Sequence, residues 1–281
     1  MADDSTAASV TGATHCFVVP AYGDSPHLRA CLDSLRAQTR RSPIVVCSST
    51  PHAGLQALAE EYGARLVLHS PNAGIGHDWN AALEQVPLGA GTEWVTLAHQ
   101  DDVYLPEFAQ RTLAAIARQP QAVMVMTGYG ELIGSGASDD RPRLLSPMLL
   151  VKRVLLELGF LGRGAIANPA AKRRLLRFGC PVPCPAVTLR TRTGLRFRED
   201  LKVNLDWEAW LRLAAQTGAF AYVRQILMLH RIHAGSETSD GIRGGVRARE
   251  DLMMFRAQWP APIARMLARA YATSYATGDE A

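Results

Sequence analysis

The densest chemistry in this 281-residue chain sits in the tetrad His99-Gln100-Asp101-Asp102. It follows the run Glu93-Trp94-Val95-Thr96-Leu97-Ala98, which reads as a strand. A strand ending in two adjacent carboxylates puts acid at the carboxyl edge of a sheet, where open α/β sheets bind ligands. Neighbouring carboxylates repel each other and call for a positive partner. A divalent metal holding a diphosphate is one such partner, because hard cations prefer oxygen ligands. The other reading is a helix N-cap, since Asp102 precedes Val103-Tyr104-Leu105-Pro106 and Pro106-Glu107 looks like a helix start.

Other groups fall where strands end. Val19-Pro20-Ala21-Tyr22-Gly23 lets the backbone turn, and Tyr22 offers an aromatic face to a base, although an ordinary strand-to-helix turn uses the same residues. Ser48, Ser49 and Thr50 bring three hydroxyls that suit a base or ribose, or equally a helix cap. Pro71 to Asn80 is a Gly-containing loop entering a helix, and its N–H groups suit a phosphate or ribose. It lacks the third glycine of the dinucleotide fingerprint, and His77 and Asp78 also read as plain first-turn residues. Later come Asn204-Leu205-Asp206-Trp207-Glu208 and Leu229-His230-Arg231-Ile232-His233, an acid opening a helix and histidines near a strand end. Taken singly these are a cap and structural histidines; with Asp101 and Asp102 they offer a metal site, a third acid and a histidine.

The elements that must position these groups alternate. Short apolar strands are expected at 16–19, 44–47, 66–68, 94–98 and 122–127. Helices are expected from Ser25-Pro26, over 53–62, 77–86 and 106–118. This pattern implies a mostly parallel sheet covered on both faces. Beyond residue 130 it weakens. Gly134 to Arg143 reads as a mobile loop, 147–158, 169–177 and 206–216 as helices, and 219–223 and 226–229 as two short strands. Two helices separated by Pro260 finish the chain.

Composition narrows the classes. The net charge of +4 does not point to nucleic acid, and no run reaches the ~18 apolar residues of a membrane span. The start Met1-Ala2-Asp3-Asp4-Ser5 lacks a signal-peptide pattern, so a cytoplasmic location is expected. Five scattered cysteines argue against a disulfide framework, and Cys180-Pro-Val-Pro-Cys184 has no second pair to complete a zinc site.

In order and spacing the chain resembles the inverting family-2 glycosyltransferases of the GT-A fold, in the bacterial branch carrying His-Gln-Asp-Asp. The resemblance covers roughly residues 15–236 and rests on Val-Val-Pro-Ala-Tyr at 18–22, Asn72-x-Gly74 with Asn80, the tetrad, Leu205-Asp206-Trp207-Glu208 with Leu211-Arg212, and Arg231-Ile-His233. It implies a GT-A (Rossmann-like) α/β fold, a nucleotide-sugar donor with UDP favoured, Mn²⁺ or Mg²⁺, and an acceptor hydroxyl, in cell-surface polysaccharide or glycolipid assembly. By position, Asp101 and His233 match metal-binding residues and Asp206 the general base. Pro20, Tyr22, Ser48, Ser49, Thr50, Asp78, Asn80, Gln100 and Asp102 lie where the donor binds. Two departures stand out: Cys47-Ser48 replace the acid that usually ends the second strand, and His99 replaces the first acid of Asp-x-Asp.

Small polar residues make 1–13 an expected disordered leader; the resemblance then gives a GT-A glycosyltransferase domain at 14–240, with a helical appendage at 241–281. The domain splits into a nucleotide half at 14–130 and an acceptor half at 131–240. Residues 171–202 carry nine basic and two acidic side chains, a solvated face or an acceptor side meeting a lipid-linked pyrophosphate or an anionic membrane. Expected partners are the donor, a saccharide or lipid-linked acceptor, the inner face of a membrane and a second copy in a homodimer. Two other functions stay open. A sugar-phosphate nucleotidyltransferase needs a basic loop after the first strand, and Ala21 to Ser25 has no basic residue. A nucleotide-binding or scaffold protein with a degenerate site would explain His99 and Cys47.

Overall fold

The computed structural model describes residues 14–87, 91–134, 139–233, 235, 241 and 244–276. The expected leader at 1–13 lies outside the described residues.

Four parallel strands form the first half of the sheet: β1 (His15–Pro20), β2 (Ile44–Ser48), β3 (Arg65–Leu68) and β4 (Trp94–Leu97). β1, β2 and β4 are apolar on both sides because helices cover both faces. Those helices are α1 (Leu28–Arg36), α2 (Leu55–Glu61), α3 (Ile75–Glu84) and, later, α4 (Phe108–Arg118). Between β4 and α4 lies β5 (Val103–Tyr104), so the helix expected from Pro106 begins at Phe108.

The second half holds β6 (Ala122–Ile133), β7 (Arg141–Arg143), β8 (Ala165–Ile166), β9 (Val187–Arg190) and β10 (Ala219–Ile232). The order is β3-β2-β1-β4-β9-β6-β10-β5, with β7 on β6 and β8 on β10. β9 runs antiparallel to both β4 and β6, so β6 and β10 point the same way as β4. β1 to β4, β6 and β10 therefore all end at one edge.

Two expectations are corrected. The short strands at 219–223 and 226–229 are one strand, which keeps pairing with β6 across register shifts at Val223/Ile226 and Ile226/Met228. Part of the 134–143 loop is strand, since β7 pairs with β6; residues 135–138 lie outside the described residues.

Helices α5 (Pro147–Phe160), α6 (Pro169–Leu175) and α7 (Leu205–Ala215) follow the sheet, and α8 (Val246–Arg256) and α9 (Ala261–Ala276) close the chain. α8 and α9 pack on the core. The Phe255 and Tyr271 rings lie 5.1 and 5.9 Å from that of the fully buried Trp207. The Glu250 carboxylate accepts the backbone N–H groups of Lys202, Val203 and Asn204.

Candidate active site

The tetrad is a turn leaving β4, closed by the Asp102 N–H on the His99 carbonyl. Its acids are held by the end of β10. His233 Nε2 lies 2.9 Å from Asp101 Oδ2, and His230 Nδ1 lies 3.0 Å from Asp102 Oδ1. Asp102 Oδ1 also accepts the Arg231 N–H at 2.8 Å. The Arg231 guanidinium, fully buried, donates to the Asp101 carbonyl at 2.9 Å and grips Asp140 with both terminal nitrogens. Asp102 is thus no helix cap: β10 supplies its partners, and β5 separates it from α4.

Burial alone would raise the Asp101 carboxyl; the His233 hydrogen bond and the nearby imidazoles hold it well below the usual range. Burial opposes charge on His230, yet Asp102 outweighs it and raises its pKa. Burial lowers His99, keeping that imidazole neutral, and its ring packs 4.7 Å from Trp79. Two buried atoms here, His99 Nε2 and Asp102 Oδ2, have no hydrogen-bond partner. One ligand atom each from His99, Asp101 and Asp102 lies within 4.8 Å of the others. An imidazole nitrogen and a carboxylate oxygen without protein partners, beside the Asp101 carboxylate, fit a divalent cation.

The donor-side residues gather at the same edge. Gln100 ties the tetrad to the β1 turn, accepting the Tyr22 N–H at 2.9 Å and donating to the Tyr22 carbonyl at 3.2 Å. Pro20 ends β1, and the Tyr22 ring stays 57% exposed. Thr50 Oγ1 accepts the Gly23 N–H, while Ser48 Oγ accepts that of Thr50. Ser49 Oγ donates to Asp78 Oδ2 at 3.0 Å, and Asp78 Oδ1 stands 3.8 Å from His69 Nε2. Asp78 Oδ1 and both ring nitrogens of His69 are buried without a partner. So α3 delivers a carboxylate to the end of β2, where the sequence has Cys47-Ser48.

Asn80 points elsewhere. Its amide donates to the Phe197 carbonyl, accepts the Phe197 N–H and reaches Glu199. These hydrogen bonds brace 197–199, so in this structure Asn80 serves packing between α3 and that segment. Gly76 serves the same packing, because a β-carbon there would come within 2.8 Å of the Arg198 carbonyl oxygen. The Asn72–Gly76 loop packs the α3 entrance against 198–199, and that contact accounts for this glycine without a phosphate.

Asp206 opens α7. Oδ1 accepts the Trp207 N–H at 2.6 Å, and Oδ2 faces the Cys180 thiol at 3.8 Å. Burial raises its pKa, against hydrogen bonds from the Trp207 and Cys184 backbones and the charges of Lys152 and Arg247. Burial pushes the Cys184 thiol up, and the charges of Asp206 and Asp102 add to that.

Four participants were missed in the sequence. His69 and Lys152 carry no motif. His230 and Arg231 stood in the quoted segments, but their grip on the tetrad depends on β10 pairing with β5, which directly follows the tetrad. The basic 171–202 stretch does not form one face. Lys172 is buried on the Gln216 and Gly218 carbonyls, Arg196 pairs with Glu84 and Arg198 with Asp200. Arg173, Arg174 and Arg177 remain exposed, with Arg177 stacked 3.8 Å over Trp259.

Residues 16–171 match Glycosyl transferase family 2. No curated protein sequence matches the chain. Among solved structures, S. aureus TarS is 17% identical with a TM-score of 0.56 over 90% of this chain. This chain spans only 42% of that protein's length. TarS 1–349 in complex with UDP-GlcNAc is 16% identical, TM-score 0.58, covering 91% of this chain and 70% of that one. Mannosyltransferase PcManGT from Pyrobaculum calidifontis, in complex with GDP-Man and Mn²⁺, is 14% identical, TM-score 0.57, covering 94% and 70%. These likenesses show a shared GT-A fold.

Proposed function

Because the chain belongs to glycosyl transferase family 2, we propose that it moves a sugar from a nucleotide-sugar donor to an acceptor hydroxyl with inversion. One observation carries the reading: His99, Asp101 and Asp102 bring three ligand atoms within 4.8 Å at the strand edge that also holds the Ser49–Asp78 pair. Family membership speaks against the nucleotidyltransferase alternative, and turnover with any donor would exclude a degenerate-site scaffold.

The nucleotide half, 14–130, holds the donor and the half from 131 to 240 the acceptor. Tyr22 stacks on the base, whose ring N–H donates to Asp78 Oδ1. A uracil N3–H suits a single buried acceptor, so UDP is the favoured carrier. Ser48 and Thr50 fix the turn that receives the ribose, and Gln100 keeps Tyr22 and the tetrad in register. His99, Asp101 and Asp102 would hold Mn²⁺ or Mg²⁺, with His233 orienting Asp101; the ion supplies positive charge to the departing diphosphate. Asp206 accepts the proton of the acceptor hydroxyl as its oxygen bonds to the anomeric carbon and the bond to the diphosphate breaks. A single displacement inverts the centre.

Surface glycan or glycolipid assembly is the role that fits, with the protein resting on an anionic membrane. Support comes from α5, where Leu150, Val151, Val154 and Leu158 form an exposed apolar stripe, Leu158 at 61%. Exposed Arg163, Arg173 and Arg174 lie close by in the chain. Among the described residues no helix is long and apolar enough to cross a membrane.

Calorimetric titration of UDP, GDP, dTDP and CMP, each with Mn²⁺ and with EDTA, tests the reading. Metal-dependent binding of UDP is expected. Binding of none of the four under either condition would overturn it.

A further inference from the structure

The hairpin of β6 and β7 brings one further carboxylate to the tetrad. β6 ends at Ile133 and the chain returns as β7, with Ile133 opposite Arg141 and Glu131 opposite Arg143. Glu131 is buried and pairs with Arg143 at 2.8 Å, which pins the return. Gly134 makes the approach possible: its φ is +148°, and a β-carbon there would stand 2.8 Å from both Cα and Oδ1 of Asp140. Because β6 also pairs with β10, Leu132 opposite Arg231, the Asp140 carboxylate lands on the Arg231 guanidinium.

Arg231 supports the tetrad from both its backbone and its side chain. Its N–H donates to Asp102 Oδ1 and its Nε to the Asp101 carbonyl, while both terminal nitrogens go to Asp140, one of them at 2.8 Å. The guanidinium is fully buried, and a buried cation needs a carboxylate beside it. Two others stand in the tetrad, Asp101 and Asp102, and Asp102 Oδ2 is buried without a hydrogen-bond partner. Those two carboxylates are the ones that the candidate metal site draws on together with His99.

We propose that Asp140 is a positioning residue for the metal: it neutralises Arg231 and engages the terminal nitrogens of the guanidinium, which leaves the Asp101 and Asp102 carboxylates to a divalent cation. This role rests on the tetrad holding a metal. Without Asp140 two effects act in the same direction. The uncompensated Arg231 charge repels the metal, and its freed donors compete for the tetrad oxygens.

The test is Mn²⁺ binding to the full chain with UDP present, read from the electron paramagnetic resonance of the free ion, with the uptake by UDP alone subtracted. Asp140→Asn should weaken Mn²⁺ about tenfold or more and Asp140→Glu less, and saturating Mn²⁺ should restore UDP affinity in both. A hairpin that only supports the fold would lower Tm and leave the Mn²⁺ affinity of the folded chain alone. Gly134→Ala displaces the carboxylate without removing its charge and should also weaken Mn²⁺. Wild-type Mn²⁺ affinity in Asp140→Asn, or in Gly134→Ala where Asp140→Asn does not melt cooperatively, would overturn the role of Asp140. No Mn²⁺ uptake by the native chain would overturn the metal reading itself, so the two fail at different measurements.

Discussion

Asp206 Oδ1 accepts its neighbour's N–H and Oδ2 faces the Cys180 thiol, a weak donor, while the Cys184 backbone also reaches the carboxylate. Asp206→Asn should cut turnover about 10²-fold or more while UDP binding with Mn²⁺ stays intact, as separate rate and calorimetric measurements would show. Unchanged turnover would remove Asp206 from the chemistry. The pH profile follows from its environment: burial raises the carboxyl above the ordinary 3.8, and only the ionised form accepts a proton. The rate should therefore rise with pH through a point above 3.8. Lys152→Met removes a nearby cation that favours the ionised form, so the acid limb should move to still higher pH. A limb that stays in place would mean that a different group titrates.

In the proposed reaction Asp101 serves the metal and Asp78 the base. Asp101→Ala should remove the dependence of nucleotide binding on Mn²⁺. Asp78→Asn exchanges one of the two acceptor oxygens for a donor NH₂ and should weaken UDP about tenfold or more at saturating metal. Both effects are read by the same titration.

Among the elements, α3 and the 197–199 segment are joined by Asn80, which is buried and spends its amide on Phe197. Asn80→Ala strands a buried carbonyl and N–H and should cost about 1–3 kcal/mol, seen as a lower Tm. The strand β1 carries a different sensitivity. His15 sits between Ser42 and Thr96 hydroxyls, and burial, aided by Arg40, lowers its pKa from 6.5 to about 3. The unfolded chain takes up this proton first, so the contribution is intact above 6.5. It is lost as pH falls towards about 3, at about 1.4 kcal/mol per unit. Chemical denaturation across that range should show a steeper loss in the native chain than in His15→Gln.

For the whole molecule, the question is whether α8 and α9 are an appendage. Trp207 packs against both Phe255 and Tyr271, and Glu250 caps the three N–H groups just before α7. Loss of these partners uncovers the Trp207 ring and leaves those N–H groups without the Glu250 carboxylate. A chain ending at residue 243 should show no cooperative thermal transition; a sharp melt near that of the full chain would make the two helices a separate unit.

The alternation of short apolar runs with helical spacing determined the α/β sheet, because burial on both faces writes itself as continuous hydrophobicity. The tetrad and the acid opening α7 were legible for a similar reason: strand ends and helix starts place side chains at known edges. Other features belonged to the tertiary structure alone. Asn80 matches a motif, but its hydrogen bonds go to a segment more than a hundred residues away. Asp78 reaches Ser49 because α3 leans on β2, and His230 and Arg231 reach Asp102 because β10 returns beside β5. Lys152 lies in a helix whose sequence shows only an amphipathic pattern; its charge matters because α5, α9 and the Cys180 segment close around it. Local propensity and patterning reach a few residues along the chain, whereas a site is made of partners that only the packing of distant elements brings within hydrogen-bonding distance.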